Sequence, residues 1–257
     1  MTYISSPVNP TIKYYNSLSR SKIRARDSVF VIEGDILLRE SLAADVSIVS
    51  ALVDQDRMGS ISDLIDQLEQ QGIPIYCAPA SAMTRASSLD TPQSVLAVGR
   101  VPHTSGMIDP QGQYIVCEGL QNPGNAGAIL RSAAAFGIDG VFFVGSCDIY
   151  SVKALRGSMG AVFKVPVYQY DSSDEVIAVL RKNNIQSFAA IVGEKAQPLS
   201  DVDLRGGCAV WIGNEGNGLT KAAVDNCENK VYIPMLQHTE SLNASVAASI
   251  FMWEMSK

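Results

Sequence analysis

Three loops rich in glycine and asparagine carry most of the side chains that could do chemistry in this chain. They span residues 122–127, 213–218 and 233–247. Each follows an apolar run, and in open parallel sheets ligands bind in the loops that follow the carboxyl ends of strands. Glycines let backbone approach a ligand closely, and a helix N-terminus presents free N–H groups. The three loops therefore predict one ligand site assembled from distant segments.

Each loop also holds a residue that a simple turn does not need. Arg131 follows the first loop by one helical turn, and Glu215 stands between glycines in the second. In the third loop, Ser241 is predicted to cap a helix over 242–256, and Asn243 is placed in its first turn, where Asn is a poor helix former. The second loop has the spacing G-x-x-G-x-G, which departs from the dinucleotide-binding pattern and weakens the case for a nicotinamide dehydrogenase.

The composition excludes several other kinds of site. The chain has 257 residues, five cysteines without a C-x-x-C pair, and two histidines, His103 and His238. An odd, scattered set of cysteines argues against a disulfide framework or structural zinc, and the histidines are too few for a His-rich metal site. No metal is therefore expected. Four cysteines lie in or beside apolar runs and are interpreted as inert buried thiols.

The chain shows no apolar run long enough for a membrane span, which takes roughly 18 residues, and no leader is visible at its start. It is therefore expected to be cytoplasmic and not to bind a membrane. Its net charge of −6 argues mildly against general nucleic-acid binding. One segment is locally basic, however. Its members could form an ordinary solvated helix face or an RNA contact: Lys13, Arg20, Lys22, Arg24 and Arg26.

Apolar periodicity predicts an α/β chain in two domains, 1–99 and 113–257, joined by a linker over 100–112 that contains two prolines and two glycines. In the first domain, a helix over 9–26 with Asn9 as N-cap precedes alternating strands and helices. In the second, the apolar strands without alternation predict a parallel sheet covered on both faces. Its strands are expected at 113–119, 140–145, 164–168, 187–192, 208–213 and 230–234, and its helices at 125–137, 151–159, 173–183, 219–226 and 242–256.

The three loops resemble motifs of the SpoU/TrmH family of RNA ribose 2′-O-methyltransferases, in the SPOUT superfamily. The matching stretches are Asn122 to Gly127 with Arg131, Ile212 to Leu219, and Ile233 to Met235 followed by Ser241 to Ala247. Residues 9–13 and 30–34 resemble the amino-terminal substrate-binding domain of that family, which has an L30e-like fold. The family usually begins its first motif with Asp-Pro, and Asn122 removes that charge.

The resemblance implies a trefoil-knotted SPOUT α/β domain after the L30e-like domain, a homodimer, and S-adenosylmethionine as cofactor. It implies cofactor contacts at Ile212, Gly213, Asn214, Gly218, Ile233, Met235 and Leu242. The implied catalytic residues are Arg131, Asn125, Glu215, Ser241 and Asn243. Because an Arg side chain keeps its proton, Arg131 is interpreted as a phosphate-binding residue rather than a base. The identity of the base stays open.

The predicted function is methylation of a ribose 2′-hydroxyl in RNA, with large-subunit (23S) rRNA as the favoured substrate. The basic residues Lys13 to Arg26, together with Arg156, then become the expected RNA contacts. A tRNA 2′-O-methyltransferase and a catalytically inactive RNA-binding homologue are alternatives, since Asn122 departs from the family. An unrelated nucleotide enzyme that binds phosphate with its glycine loops is a further rival.

Overall fold

The computed structural model of the chain describes residues 1–102, 107–192, 196–236 and 241–257. Both histidines, residues 103–106 of the predicted linker and residues 237–240 of the third loop lie outside the described residues. The chain divides into two compact units, Met1–His103 with Tyr150–Arg156 and Thr104–Ile149 with Gly157–Lys257. The boundaries 1–99, 100–112 and 113–257 stay a prediction.

The first unit is a mixed five-stranded sheet with helices. Its elements are β1 (Thr2–Tyr3), α1 (Pro10–Ser17), α2 (Ser21–Asp27), β2 (Val29–Glu33), α3 (Asp35–Ala43), β3 (Ile48–Asp54), α4 (Ser62–Gln70), β4 (Ile75–Ala78), α5 (Ala80–Ala86) and β5 (Val95–Arg100). The strand order is β1-β4-β3-β5-β2; β1, β4 and β3 run parallel, and β5 is antiparallel to both of its neighbours. Side chains of α1 and α5, including Tyr15 and Met83, pack on the sheet as its core.

The predicted helix over 9–26 was wrong in one respect, because it is two helices. Asn9 caps α1 and Pro10 opens it, as expected. The chain then turns at 18–20 before α2 begins. The guanidinium of Arg24 donates from Nη1 to the carbonyl oxygens of Leu18 at 2.5 Å and Ser19 at 3.0 Å. These bonds satisfy carbonyls that the break in the helix leaves without intrahelical partners.

The second unit is built on a seven-stranded sheet. Its elements are β6 (Gln113–Glu118), α6 (Pro123–Phe136), β7 (Gly140–Val144), α7 (Val152–Ser158, of which residues 152–156 belong to the first unit), β8 (Val167–Tyr170), α8 (Ser173–Lys182), β9 (Gln186–Ala190), β10 (Gln197–Pro198), β11 (Cys208–Ile212), α9 (Lys221–Asn226), β12 (Asn229–Tyr232) and α10 (Ala244–Met255). The strand order is β10-β12-β9-β11-β6-β7-β8, and every pairing is parallel. The predicted parallel sheet is confirmed.

This sheet brings the site loops together. Strand β11 pairs directly with β6, with Ile212 opposite Cys117, so the loops that follow these strands leave from the same sheet edge. Helix α10 packs against α6 and against β11, which returns the third loop to the same place. Of the helices formed by the described residues, none is both long and apolar enough to cross a membrane.

Candidate active site

One residue from each of the three loops joins a chain of side-chain hydrogen bonds, here called the polar chain (Glu215, Asn125 and Asn243). Asn125 donates from Nδ2 to Oε1 of Glu215 at 2.6 Å, and Asn243 donates from Nδ2 to Oδ1 of Asn125 at 3.2 Å. The backbone N–H of Gln121 donates to Oε2 of Glu215 at 3.3 Å. The structure thus brings three of the five predicted catalytic residues into direct contact.

The carboxyl of Glu215 is held in its charged form by this setting. Burial raises its pKa, but hydrogen bonds to the carboxylate from backbone N–H groups of its own residue, Gln121 and Asn122 and from the side chain of Asn125 together lower it below the ordinary value. Hydrogen bonds to an ionised carboxylate favour that form. At neutral pH the Glu215 carboxylate can therefore accept hydrogen bonds but not donate them, and it fixes which way the Asn125 amide faces.

Asn243 has a structural task that the sequence analysis assigned to Ser241. It is the N-cap of α10, and its Oδ1 accepts hydrogen bonds from the backbone N–H of Ser245 at 2.9 Å and from the Ser245 hydroxyl at 2.7 Å. The prediction that Ser241 caps this helix and that Asn243 lies in its first turn was wrong. Ser241 instead lines the cavity described next.

A cavity of about 800 Å³ opens beside the polar chain, between the loop after β11, the end of β12 and the start of α10. Every residue predicted to contact the cofactor lies in its wall: Ile212, Gly213, Asn214, Gly218, Ile233, Met235 and Leu242. Glu215 and Ser241 line it too. Its volume and its mixed apolar and backbone-rich wall are typical of a site for a small organic molecule.

Gly213 serves the shape of this wall rather than only access for a ligand. A Cβ placed on it would lie 2.1 Å from the carbonyl carbon of Gly218 and 2.2 Å from the nitrogen of Leu219. The close approach lets Asn214 and Gly218 exchange backbone hydrogen bonds at 3.1 and 3.0 Å, which closes the loop on itself. The loop therefore needs glycine at position 213 to fold.

Arg131 lies apart from the polar chain. It is exposed on α6, and its side chain forms no hydrogen bond or ion pair with any other described residue. It follows Asn125 by six positions, which on an α-helix places it about 9 Å along the axis and roughly a third of a turn off the face of Asn125. Its guanidinium is thus available to a partner from outside the chain.

The predicted RNA-contacting residues divide into two groups. Lys13, Arg20, Lys22, Arg26 and Arg156 are exposed. Arg24 is buried, at 8% exposure, and its guanidinium faces the backbone of residues 18 and 19. Arg24 is therefore a packing residue, and its inclusion among the RNA contacts was wrong. Arg26 also forms an ion pair with Asp27 at 2.7 Å, and the prediction of an RNA contact did not consider this acidic neighbour.

Sequence reasoning missed Glu118 and Gln121, which hold the loop after β11 in place. Glu118 ends strand β6 after four apolar buried residues, Tyr114 to Cys117, and is itself buried. A carboxylate at the end of such a strand, before a glycine, was the available signal. The cysteines match expectation: Cys77, Cys117, Cys208 and Cys227 are buried free thiols, and burial raises the pKa of Cys208 and Cys227 to about 12. Within the described residues no three His, Cys, Asp or Glu side chains form a possible metal site.

Comparison with known proteins places this geometry in a family. The model of the SpoU rRNA Methylase family matches residues 112–253, more than half of the chain, and the model of the MRM3-like substrate binding domain matches residues 9–97. The 23S rRNA (guanosine(2553)-2'-O)-methyltransferase RlmP of Bacillus subtilis (strain 168) is 28% identical over 256 residues, covering 99% of each chain.

Two solved structures extend the comparison. An RNA 2'-O ribose methyltransferase is 30% identical, with a TM-score of 0.82 over 98% of this chain and 97% of its own. An AdoMet-bound rRNA methyltransferase from Sinorhizobium meliloti, 24% identical, has a TM-score of 0.89 over 98% of this chain and 96% of its own, which shows a shared fold. Because the first family model matches more than half of the chain, and the 30% identical structure covers 98% of it, this chain belongs to the SpoU rRNA methylase family.

Proposed function

We propose that this protein transfers the methyl group of S-adenosylmethionine to a ribose 2′-hydroxyl of RNA, with large-subunit (23S) rRNA as its substrate. The observation that carries the proposal is the meeting of three loops in the polar chain at the wall of an 800 Å³ cavity. The names of similar proteins support both the reaction and the substrate, since they include a 23S rRNA 2'-O-methyltransferase.

The residues around the cavity fit S-adenosylmethionine. Apolar side chains such as Ile212, Ile233 and Leu242 suit the faces of a flat base, and the exposed backbone of the glycine loop suits its polar edge. Two structural neighbours hold this cofactor, the Sinorhizobium meliloti enzyme and the SpoU methyltransferase AviRb from Streptomyces viridochromogenes. When bound, the cofactor supplies an electrophilic methyl group on a sulfonium.

The chain's own residues have to orient the hydroxyl beside a group that can accept its proton. A hydroxyl is a weak nucleophile until a nearby group draws its proton away. Asn125, Glu215, Ser241 and Asn243 orient the hydroxyl in this proposal. The Arg131 guanidinium binds the phosphate beside the reacting ribose by a bidentate contact. That phosphate or a neighbouring group takes the proton as the oxygen–methyl bond forms and the methyl–sulfur bond breaks, with its electron pair left on sulfur.

The first unit supplies RNA contacts in this proposal. Lys13, Arg20, Lys22 and Arg26 are exposed cations on or beside α1 and α2, and Arg156 is exposed on α7. Exposed cations of this kind neutralise phosphates and release counterions, which gives sequence-independent affinity. The match of residues 9–97 to a substrate binding domain supports this role.

Further parts of the family resemblance belong to the same proposal. A homodimer is supported by Val246 and Trp253, exposed apolar residues of α10, and light scattering would test it. A trefoil knot is implied by the family resemblance, and an experimental structure would test it. A cytoplasmic location and the domain limits 1–99 and 113–257 would be tested by fractionation and by limited proteolysis.

The experiment that tests the function maps 2′-O-methyl groups in RNA from cells with and without this gene. It is paired with transfer of a labelled methyl group to purified rRNA and tRNA. Loss of one large-subunit site and labelling of rRNA are expected. Labelling of tRNA alone would indicate a tRNA 2′-O-methyltransferase, and RNA binding without any transfer would indicate an inactive homologue. Calorimetry with S-adenosylmethionine, NAD and ATP tests the rival hypothesis of an unrelated nucleotide enzyme, which would bind NAD or ATP instead of S-adenosylmethionine.

A further inference from the structure

Glu118 is a buried carboxylate at the end of β6, exposed by only 7%. Its Oε2 accepts the backbone N–H of Thr220 at 2.8 Å, and its Oε1 accepts the hydroxyl of Thr220 at 2.9 Å and the hydroxyl of Ser173. Burying a carboxylate is costly unless hydrogen bonds of this kind offset the lost water. This buried carboxylate thus joins the end of β6 to Thr220 and to Ser173 at the start of α8.

Thr220 is the residue that follows the loop of residues 213–219, all seven of which line the cavity. This loop, here called the cavity loop, is held at three points by the last residue of β6 and the segment that follows it. At its start Asn214 donates from Nδ2 to the carbonyl oxygen of Gly119 at 3.3 Å. In its middle Glu215 accepts from Gln121 N–H. At its end Thr220 binds Glu118.

The cavity loop is tied internally by hydrogen bonds. Oδ1 of Asn214 accepts the backbone N–H groups of Gly216 at 2.7 Å and Asn217 at 2.9 Å, and Asn214 also pairs with Gly218. Hydrogen bonds within the loop maintain its shape, and its bonds to the rest of the protein determine its position. The bonds to Glu118 are the attachment at its carboxyl end.

We propose that Glu118 is a positioning residue that sets the affinity for S-adenosylmethionine, by holding the cavity loop through Thr220. The inference rests on the proposed function, since it names what the cavity binds. Glu118 does not line the cavity. Its effect passes through a loop that forms one wall of the cavity, so it acts on cofactor binding more than on the rate of the chemical step.

Variants at the three bonded residues separate this role from general stability. Glu118→Ala removes both bonds of the attachment, and Thr220→Val removes the hydroxyl bond while the backbone N–H bond stays. Ser173→Ala is the matched control, because it removes a hydrogen bond from the same carboxylate on the side of α8, away from the cavity loop. Glu118→Gln tests rescue: its amide oxygen can accept the Thr220 N–H while its NH₂ group donates to both hydroxyls.

The readouts are the Kd of the full-length protein for S-adenosylmethionine by calorimetry, the split between KM and kcat, and the thermal unfolding midpoint. We expect Glu118→Ala to raise Kd and KM by about tenfold or more with a smaller change in kcat, since it loses both bonds. Thr220→Val should raise both constants by a smaller factor of about three- to tenfold, since it loses only the hydroxyl bond. Ser173→Ala lowers the midpoint while its Kd stays within about twofold, and Glu118→Gln stays within about threefold of wild type.

Equal effects of Thr220→Val and Ser173→Ala on Kd would overturn the inference, as would a wild-type Kd in both attachment variants. If Glu118→Ala does not fold, Thr220→Val and Glu118→Gln decide the question. A wild-type protein that binds no S-adenosylmethionine would instead overturn the proposed function, so the two failures are distinguishable.

Discussion

The side-chain nitrogen of Asn125 lies 2.6 Å from Oε1 of Glu215, although 90 positions separate the two residues in the chain. An ionised carboxylate can only accept, so the Asn125 amide must present its nitrogen to Glu215 and its oxygen to Asn243. The hydrogen bond to Asn243 follows that direction. The charge of one residue therefore sets the orientation of two amides.

Glu215→Gln should remove this orientation while keeping the shape of the site. We expect kcat for methyl transfer to fall by roughly 10- to 100-fold, the cost of losing a hydrogen bond to a charged acceptor. The Kd for S-adenosylmethionine should change much less. Steady-state kinetics with labelled cofactor measures the first and calorimetry the second. Glu254→Gln, which removes an acid that pairs with Lys257, is the control and should match wild type.

The same substitution predicts a pH dependence of stability. Burial raises the pKa of Glu215, but its hydrogen bonds bring it below the ordinary 4.5. A folded-state pKa below the unfolded one stabilises the protein above the unfolded value, and the contribution disappears as the pH falls through the folded value. The free energy of unfolding of wild type minus that of Glu215→Gln should be constant near neutrality and shrink below about pH 4.5. A difference that grows on acidification would contradict the lowered pKa.

Arg131→Ala should abolish turnover while cofactor binding survives. Arg131 is exposed and does not line the cavity, so the cofactor loses no contact. The transferred methyl group loses a correctly placed acceptor when the phosphate of the RNA is not held. Arg131→Lys should recover little, because an ammonium cannot form the bidentate contact.

A fall of cofactor affinity and turnover together would assign Arg131 to the cofactor instead. Arg205→Ala, which removes an exposed Arg paired with Asp203 at 2.8 Å, is the control for loss of one surface cation.

Gly213→Ala should abolish cofactor binding through the shape of the cavity loop. Its Cβ would lie 2.1 Å from the carbonyl carbon of Gly218, so the pairing of Asn214 with Gly218 cannot form. Gly216→Ala in the same loop meets nothing closer than Oδ1 of Asn214 at 3.5 Å, an ordinary contact. Calorimetry should show binding by Gly216→Ala and none by Gly213→Ala. Retained binding by Gly213→Ala would mean that the loop tolerates opening.

The basic segment offers a contrast between a contact and a packing residue. Lys22→Ala should weaken RNA binding and reduce the salt slope of log K by about one, as for loss of one phosphate contact. Arg24→Ala should leave that slope unchanged and lower the free energy of unfolding by about 1–3 kcal/mol, because two carbonyl oxygens lose their partner. Filter binding across salt concentrations and urea denaturation measure the two effects. Equal salt slopes for both variants would remove Lys22 from the RNA surface.

The parallel sheet and most of its elements could be predicted, because unbroken apolar strands and amphipathic helices report directly on burial. The two-residue strands β1 and β10 could not, since neither is long enough to show a period. The break between α1 and α2 depends on Arg24 turning inward to the carbonyls of residues 18 and 19. A run of cations in sequence carries no sign of which one is buried.

The motifs located the loops of the candidate site but gave no contacts within it. Whether Asn243 or Ser241 caps α10 depends on where the helix begins, and it begins at Ala244, two residues later than predicted. Glu118 lay outside the motifs because its partners Thr220 and Ser173 are 102 and 55 positions away. Pairings of this length come from strand order, which a single sequence does not reveal.

Asn243 answers two demands with one amide. Its oxygen starts helix α10 and its nitrogen reaches Asn125. Ser, Thr and Asp also start helices well, but an ionised Asp has no proton to give, and a hydroxyl has one donor on a shorter arm. The position therefore has a narrow chemical choice. Replacing Asn243 by Ser, Thr or Asp would keep the helix cap but would lose the hydrogen bond to Asn125. Substitutions that raise the thermal stability of this protein therefore have to be made at other positions.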